Sequence, residues 1–399
     1  MAVKTKQKSW VRPRHNFIIR LAALVLYPWT KLKYHIRVEP CKDLQTRQCL
    51  IIMNHQTAFD QFFVSFAMFP RHAYFIATDD LFSLGLLSKL LSWAVAPIPI
   101  KKQSTDVQAG MTCIRVAREG GTIALAPEGN RTFSGLPCYS NPAITPLIKK
   151  LGLPLAIFRI EGGYGIQPRW SDVCRKGQMR AYVRRIIEPE EYKDLSKEEL
   201  FALIRKEMFV DETQSGQEFH HKRLAEYLER AMYVCPECGL STFRSEKDVI
   251  TCTKCGRQVR YRPDQRLEGI GWEFPFPYVA QWYDYQQKFV LDLDPDAMLT
   301  KPAYQETAML SSVVANKKKT VLKKDCKFSL YGNRLQADDL TFFFDDVSVM
   351  TVLGKNKLNI YHSDGLYQVK GDCRFNALKY MNLFYRYKNR GTDNTFLGI

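Results

Sequence analysis

The sequence predicts an α/β fold: a mostly parallel sheet with flanking helices, then a cysteine-bound module and a small β-rich module towards the C-terminal end. Three observations carry this. From about Leu50 to Pro189, short and continuously apolar runs alternate with helical patterns, as they do when both faces of a parallel sheet are covered. Two C-x-x-C pairs follow, in "CPECGLSTFRSEKDVITCTKCGR" at 235–257. Residues 320–371 then become strand-like, broken by the hairpin turn signals Gly332-Asn333, Gly354 to Asn356 and Asp364-Gly365.

Taken in order, the N-terminal apolar stretch runs from Phe17 to Trp29 and is interrupted by Arg20. It is shorter than the ~20 apolar residues a membrane-spanning helix needs. Lys4, Lys6, Lys8, Arg12 and Arg14 precede it, as in a signal peptide, but Pro28-Trp29-Thr30-Lys31-Leu32-Lys33 offers no small-residue cleavage pattern. The expectation is an amphipathic helix over 1–40 lying in a membrane interface, with a buried N-terminal helix as the alternative. Runs 49–53, 73–77, 122–126, 154–158 and 179–187 read as strands, and 58–69, 85–94, 105–119 and 142–151 as helices. Thr105 with Gln108, and Ser196 with Glu199, have the spacing of capping boxes. Two helices are expected at about 196–209 and 217–233, and one more at 375–388 to close the chain. The expected domains are thus 41–195 for the α/β part, 196–232 for a helical linker, 233–262 for the cysteine module, and 263–399 for an aromatic connector and a β-meander with its helix. The last resembles pleckstrin-homology-like domains in outline.

Among 399 residues, 58 Lys and Arg stand against 41 Asp and Glu, a net charge of +17. Such a balance favours anionic partners: nucleic acid, an anionic membrane surface or phosphorylated small molecules. Eleven cysteines, an odd number, do not suggest a disulfide framework. Cys235, Cys238, Cys252 and Cys255 do form two knuckles thirteen residues apart, with Gly239 and Gly256 just after them. Four thiolates complete a tetrahedral shell, so a structural Zn2+ is expected; a closed shell has no open position for catalysis.

The segment "MNHQTAFDQF", 53–62, places His55 and Asp60 where a strand passes into a helix. Open α/β folds bind ligands at that carboxyl edge. With Thr57 as N-cap, Asp60 is the third helical residue, and its carboxylate can reach back to one imidazole nitrogen. This would leave the other nitrogen as a general base. The same spacing is also that of a capping pair which merely starts a helix. A second strand runs into "PEGNRTFSG", 127–135. Glu128, Asn130 and Arg131 then share the edge with His55 if the sheet is parallel. Gly129 can adopt positive φ, and Arg131 can grip a phosphate; an ion pair in a surface loop is the alternative.

These residues carry a resemblance. "NHQTAFD" resembles the NH-x4-D signature of the glycerophospholipid acyltransferase superfamily, and "PEGNR" resembles its E-G-T-R block, with Asn130 where that block has threonine. "PIPIKK", 97–102, stands where the family has an apolar segment ending in a basic residue, which puts Lys101 or Lys102 there. "GLPLAIF", 152–158, resembles a later block through Pro154. The resemblance covers roughly 15–190. It implies an acyltransferase-type sheet and transfer of an acyl chain from acyl-CoA or acyl-carrier protein to the hydroxyl of a lysophospholipid. His55 and Asp60 would be catalytic; Lys101, Lys102, Glu128, Gly129, Asn130 and Arg131 would bind substrate. Charge placement favours 1-acylglycerol-3-phosphate as acceptor, giving phosphatidic acid. The expected location is the cytoplasmic face of the cell membrane, peripheral, without a signal peptide or a full span.

A rival reading is a zinc-ribbon adaptor for nucleic acid or lipid, with a non-catalytic α/β scaffold. The ribbon disfavours nucleic acid: Arg244, Lys247, Lys254 and Arg257 are opposed by Glu237, Glu246 and Asp248.

Overall fold

The structure is a computed structural model that describes residues 9–78, 81, 86–100, 106–314 and 319–399. The chain divides into two compact units, each described by itself: one of 1–131, 137–163 and 178–210, the other of 132–136, 164–177 and 211–399.

The first unit runs α1 (Pro13–Tyr34), β1 (Ile36–Val38), α2 (Lys42–Thr46), β2 (Leu50–Met53), α3 (Asp60–Ala67), β3 (Ala73–Thr78), α4 (Leu86–Val95), β4 (Ile98–Ile100), α5 (Val107–Arg118), β5 (Thr122–Leu125), α6 (Ile144–Leu151), β6 (Leu155–Glu161), a short α7 (Gly163–Ile166) that crosses into the second unit, β7 (Met179–Ile187), α8 (Pro189–Tyr192) and α9 (Lys197–Met208). The strand order is β1-β7-β6-β2-β5-β3-β4. Every pairing is parallel except β6 with β7, so the mixed α/β sheet is parallel-rich, as expected. The apolar runs are central strands because both faces are covered. Leu50 and Ile52 join Ile123, Leu155 and Ile157 in a core with Val116 of α5, Ile148 of α6 and Ile204 of α9. Ile51 and Ala124, which alternate to the other face, are equally buried.

Two local expectations need correction. The start of α5 is capped by Asp106, whose carboxylate accepts from the Ala109 amide, instead of by a Thr105–Gln108 box; Thr105 lies outside the described residues. The 217–233 segment does not form a helix and holds only a 3-10 turn, Leu228–Arg230. Its main chain is taken by tertiary partners: Phe219 donates to Pro263, His220 pairs with Lys176, and Ala225 donates to Lys247. Tyr227 adopts positive φ, which breaks any helix there. By contrast, Ser196 and Glu199 form the expected capping box of α9.

The second unit holds β8 (Val234–Cys235), β9 (Gly239–Leu240), β10 (Phe243–Glu246), β11 (Val249–Cys252), β12 (Gln258–Tyr261), β13 (Leu267–Gly269), α10 (Val279–Asp292), β14 (Tyr304–Val313), β15 (Thr320–Leu330), β16 (Arg334–Ala337), β17 (Leu340–Phe343), β18 (Val347–Leu353), β19 (Lys357–His362), β20 (Gly365–Lys370) and α11 (Ala377–Lys388). The larger antiparallel sheet has the order β17-β16-β15-β14-β20-β19-β18 and closes with α11, the meander and helix that the turn signals imply. The cysteine module is not a separate bead. Val234, Ile250 and Val259 lie in one continuous core with Trp282 of α10, Phe328 of β15 and Phe384 of α11. Gln286 of α10 ties it further, accepting from the Tyr233 and Val234 amides and donating to the Ala231 carbonyl.

Candidate active site and cysteine cluster

The register of the sheet brings the two polar turns together. Ile52 of β2 lies opposite Leu125 of β5 in parallel pairing. Three residues beyond each come His55 and Glu128, so their separation along the chain is the register offset of the two strands. Both turns leave the same carboxyl edge, as open α/β sheets require of a binding site.

His55 Nδ1 lies 2.8 Å from Asp60 Oδ2. A carboxylate accepts, so Nδ1 carries the proton and Nε2 the lone pair. The His55 side chain is 29% exposed, while Asp60 is fully buried. Asp60 is the first residue of α3, and Thr57 is not its N-cap, in contrast to the expectation from spacing. The carboxylate instead ties down the turn before the helix: it accepts from the Gln56 amide at 2.7 Å, the Thr57 amide at 2.9 Å and the Thr57 hydroxyl at 2.7 Å. One carboxylate thus holds both this turn and the His55 ring, without capping the amides of α3. Asn54 has a structural part, exchanging two 2.8 Å hydrogen bonds with the main chain of Ile160 in β6.

Glu128 is buried, and Cys138 donates its amide to the carboxylate at 3.1 Å. Burial pushes its pKa up from 4.5 to about 8, the Asp60 charge adds to this, and the amides of Cys138 and His55 oppose it. This burial favours the protonated form of Glu128. Arg131 is partly buried, and burial lowers its pKa from the ordinary value against the opposing field of Asp60. Gly129 has φ 59° with nothing near a built Cβ, so it is glycine for backbone reasons. Lys101 and Lys102 lie outside the described residues, just past β4.

Sequence reasoning missed Gly163. A Cβ there would come within 2.6 Å of the Gln56 Cβ, in the turn whose amides hold Asp60. The Gly162-Gly163 pair directly after a buried strand was the available signal.

In the second unit, the Sγ atoms of Cys235, Cys238, Cys252 and Cys255 all lie within 4.8 Å of one another. Cys235 and Cys255 are 3.8 Å apart. Sulfurs at about 2.3 Å around a tetrahedral ion would be about 3.8 Å apart. All eleven cysteines are free of disulfides, and Gly239 and Gly256 have the positive φ of knuckle turns. These four thiols could hold a metal ion.

The site residues of the α/β unit fall in or near a stretch, 35–155, that matches the family model described as Acyltransferase. Over 183 residues the chain is 23% identical to the 1-acyl-sn-glycerol-3-phosphate acyltransferase BAT2, chloroplastic, of Brassica napus. It is also 23% identical over 183 residues to LPAT1, chloroplastic, of Arabidopsis thaliana, a protein of the same description. These matches span 44% of this chain, and 51% and 49% of the two relatives, about half their length. Among solved structures, it is similar to the 1-acyl-sn-glycerophosphate acyltransferase PlsC from Thermotoga maritima, 18% identical with a TM-score of 0.36, over 49% of this chain and 91% of that one. The family match over 35–155 and the two plant relatives support an acyltransferase domain of the glycerophospholipid type in this part of the chain.

Proposed function

We propose that this protein is a membrane-associated acyltransferase that moves an acyl chain from a thioester, acyl-CoA or acyl-carrier protein, to the hydroxyl of 1-acylglycerol-3-phosphate. The observation that carries the reading is the His55–Asp60 pair, held at 2.8 Å and in register with Glu128. His55 Nε2 takes the proton of the acceptor hydroxyl as its oxygen attacks the thioester carbonyl. Asp60 stabilises the imidazolium. The tetrahedral intermediate then expels the donor's thiolate, which takes the proton back from His55; an ester replaces the thioester. The amides of Gln56 and Thr57 already serve Asp60, and that of Gly129 donates to Ala126. Those three amides are therefore engaged in this structure. Arg131, three residues past Glu128 on the same turn, would hold the acceptor phosphate.

A zinc ion held by Cys235, Cys238, Cys252 and Cys255 would be structural, since four sulfurs leave no position for substrate. Membrane attachment would come from α1 and α4. Phe17, Leu21, Leu24, Val25 and Leu32 project from one face of α1, and Leu86, Leu90 and Trp93 from α4; all are exposed. No helix among the described residues is long and apolar enough to cross a membrane. A non-catalytic adaptor would leave the dyad without a purpose.

The test is to give purified protein acyl-CoA or acyl-carrier protein with a panel of lyso-acceptors and to weigh the lipid products. Diacylated phosphatidic acid, lost in His55→Ala, is expected. A preference for neutral monoacylglycerol over lysophosphatidic acid would overturn the acceptor. The absence of any acyl transfer with either donor would overturn the function.

A further inference from the structure

The chain leaves the Glu128–Arg131 turn and enters the second unit at once. Thr132–Leu136 belongs to that unit, although the residues on either side belong to the first. Five residues have little stability as an isolated excursion, yet Thr132, Phe133, Ser134 and Gly135 are all buried. Thr132 Oγ1 accepts from the amides of Ser134 and Gly135, which makes the segment a tight turn. Its main chain is then gripped from outside. The Phe133 carbonyl accepts from the Tyr164 hydroxyl at 3.3 Å, and the Gly135 carbonyl accepts from the Glu212 amide at 3.0 Å.

The Phe133 side chain is held more specifically. The Arg169 guanidinium lies 4.3 Å over its ring. Arg169 is itself buried, and it donates to the Gly354 carbonyl at 2.8 Å and the Val352 carbonyl at 2.9 Å. Those carbonyls lie at the end of β18 and just past it, in the C-terminal sheet and the turn that follows. A desolvated cation on an aromatic face, with its fork fixed by two carbonyls, is a directional contact and not a generic apolar one. The C-terminal sheet thus fixes, through Arg169, the residue two positions past Arg131.

We propose that Phe133 and Arg169 are positioning residues for Arg131 and act through it in acceptor recognition. The proposal rests on Arg131 as the group that binds the acceptor's phosphate. A bidentate grip is sensitive to displacement, and misplacement well short of unfolding weakens it. Phe133→Leu keeps an apolar filler and removes the ring face. Arg169→Lys keeps the charge and removes the fork.

The experiment compares Phe133→Leu, Arg169→Lys and Arg131→Lys, and the doubles with Arg131→Lys, for acceptor KM, donor KM and kcat, with thermal melting alongside. Phe133→Leu and Arg169→Lys are expected to raise the acceptor KM roughly tenfold, with donor KM and kcat little changed. In the Arg131→Lys background that effect should vanish, because coupled residues are not additive. If Arg131→Lys raises the acceptor KM and the other two do not, Arg131 keeps its role and the positioning claim fails. If the two variants only lower kcat along with the melting temperature, their part is general stability and the claim also fails. If Arg131→Lys itself leaves the acceptor KM unmoved, the phosphate assignment fails and takes this proposal with it.

Discussion

Asp60 accepts from His55, Gln56 and Thr57 at once, whereas an asparagine would have only one acceptor oxygen. Substitutions of the two residues of the proposed dyad should therefore differ. His55→Ala removes a partly exposed ring and should cost ~10²–10⁴ in rate with little change in melting. Asp60→Asn should cost a comparable factor in rate and also about 1–3 kcal/mol in stability, because it leaves buried donors without an acceptor. Kinetics beside thermal melting checks this; near-normal turnover by either protein would refute the mechanism, and a wild-type melt for Asp60→Asn would refute its part in holding the turn. Glu128 gives a pH signature. Its folded pKa, about 8, lies above the ordinary 4.5. Between those values the folded state binds more protons than the unfolded one, so this group's contribution falls as pH rises. Glu128→Gln should thus gain stability over wild type progressively from pH 5 to pH 8, and the two should converge below pH 4.5. Melting curves across that range test it, and a difference that does not depend on pH would mean the carboxyl is not held neutral.

At the scale of elements, α1 has two apolar sides. His15, Ile19, Thr30 and Tyr34 are buried, and Phe17, Leu21, Leu24, Val25 and Leu32 are exposed. At 100° per residue these sets lie on opposite faces. Deleting the helix would therefore remove core contacts as well as the proposed anchor, whereas the triple variant Leu21→Ser, Leu24→Ser and Val25→Ser addresses the exposed face alone. Each exposed aliphatic chain buried in an interface contributes on the order of 1 kcal/mol or more, so sedimentation with anionic vesicles should fall at least about a hundredfold in partitioning. Undiminished sedimentation would place the anchor elsewhere in the chain. Expectations for helices followed a similar logic. The boundaries held where a local cap decided them, as at Ser196. They failed at 217–233, where the main chain found strand and loop partners far along the sequence.

For the whole molecule, the cysteine cluster and the C-terminal sheet share a single core. Removing the proposed zinc should loosen 233–260 first and then spread into α10 and the sheet, since metal binding and folding are linked. The acyltransferase strands of the first unit should respond later. Hydrogen exchange after chelation would follow that order. Metal analysis finding no zinc, or a Cys235→Ser protein with unchanged protease resistance in this interval, would sink the zinc assignment.

Much of the site could be read from the chain alone. The NH-x4-D spacing set the dyad, because a strand end and a first helical turn are local structures with fixed geometry. The parallel arrangement of buried runs put Glu128 on the same edge as His55. The two cysteine pairs with their glycines specified four converging sulfurs, again through local turns. Other features needed the tertiary structure. Burial, which raises Glu128 to about 8, depends on what packs over the residue, not on its neighbours in sequence. The close approach of Gly163 to Gln56 exists only once β6 lies beside β2. The grip on Phe133 joins residues that are 36 and about 220 positions away, Arg169 and Val352 to Gly354. Periodicity and spacing report contacts within a few residues, and contacts this distant are fixed only when the whole core forms.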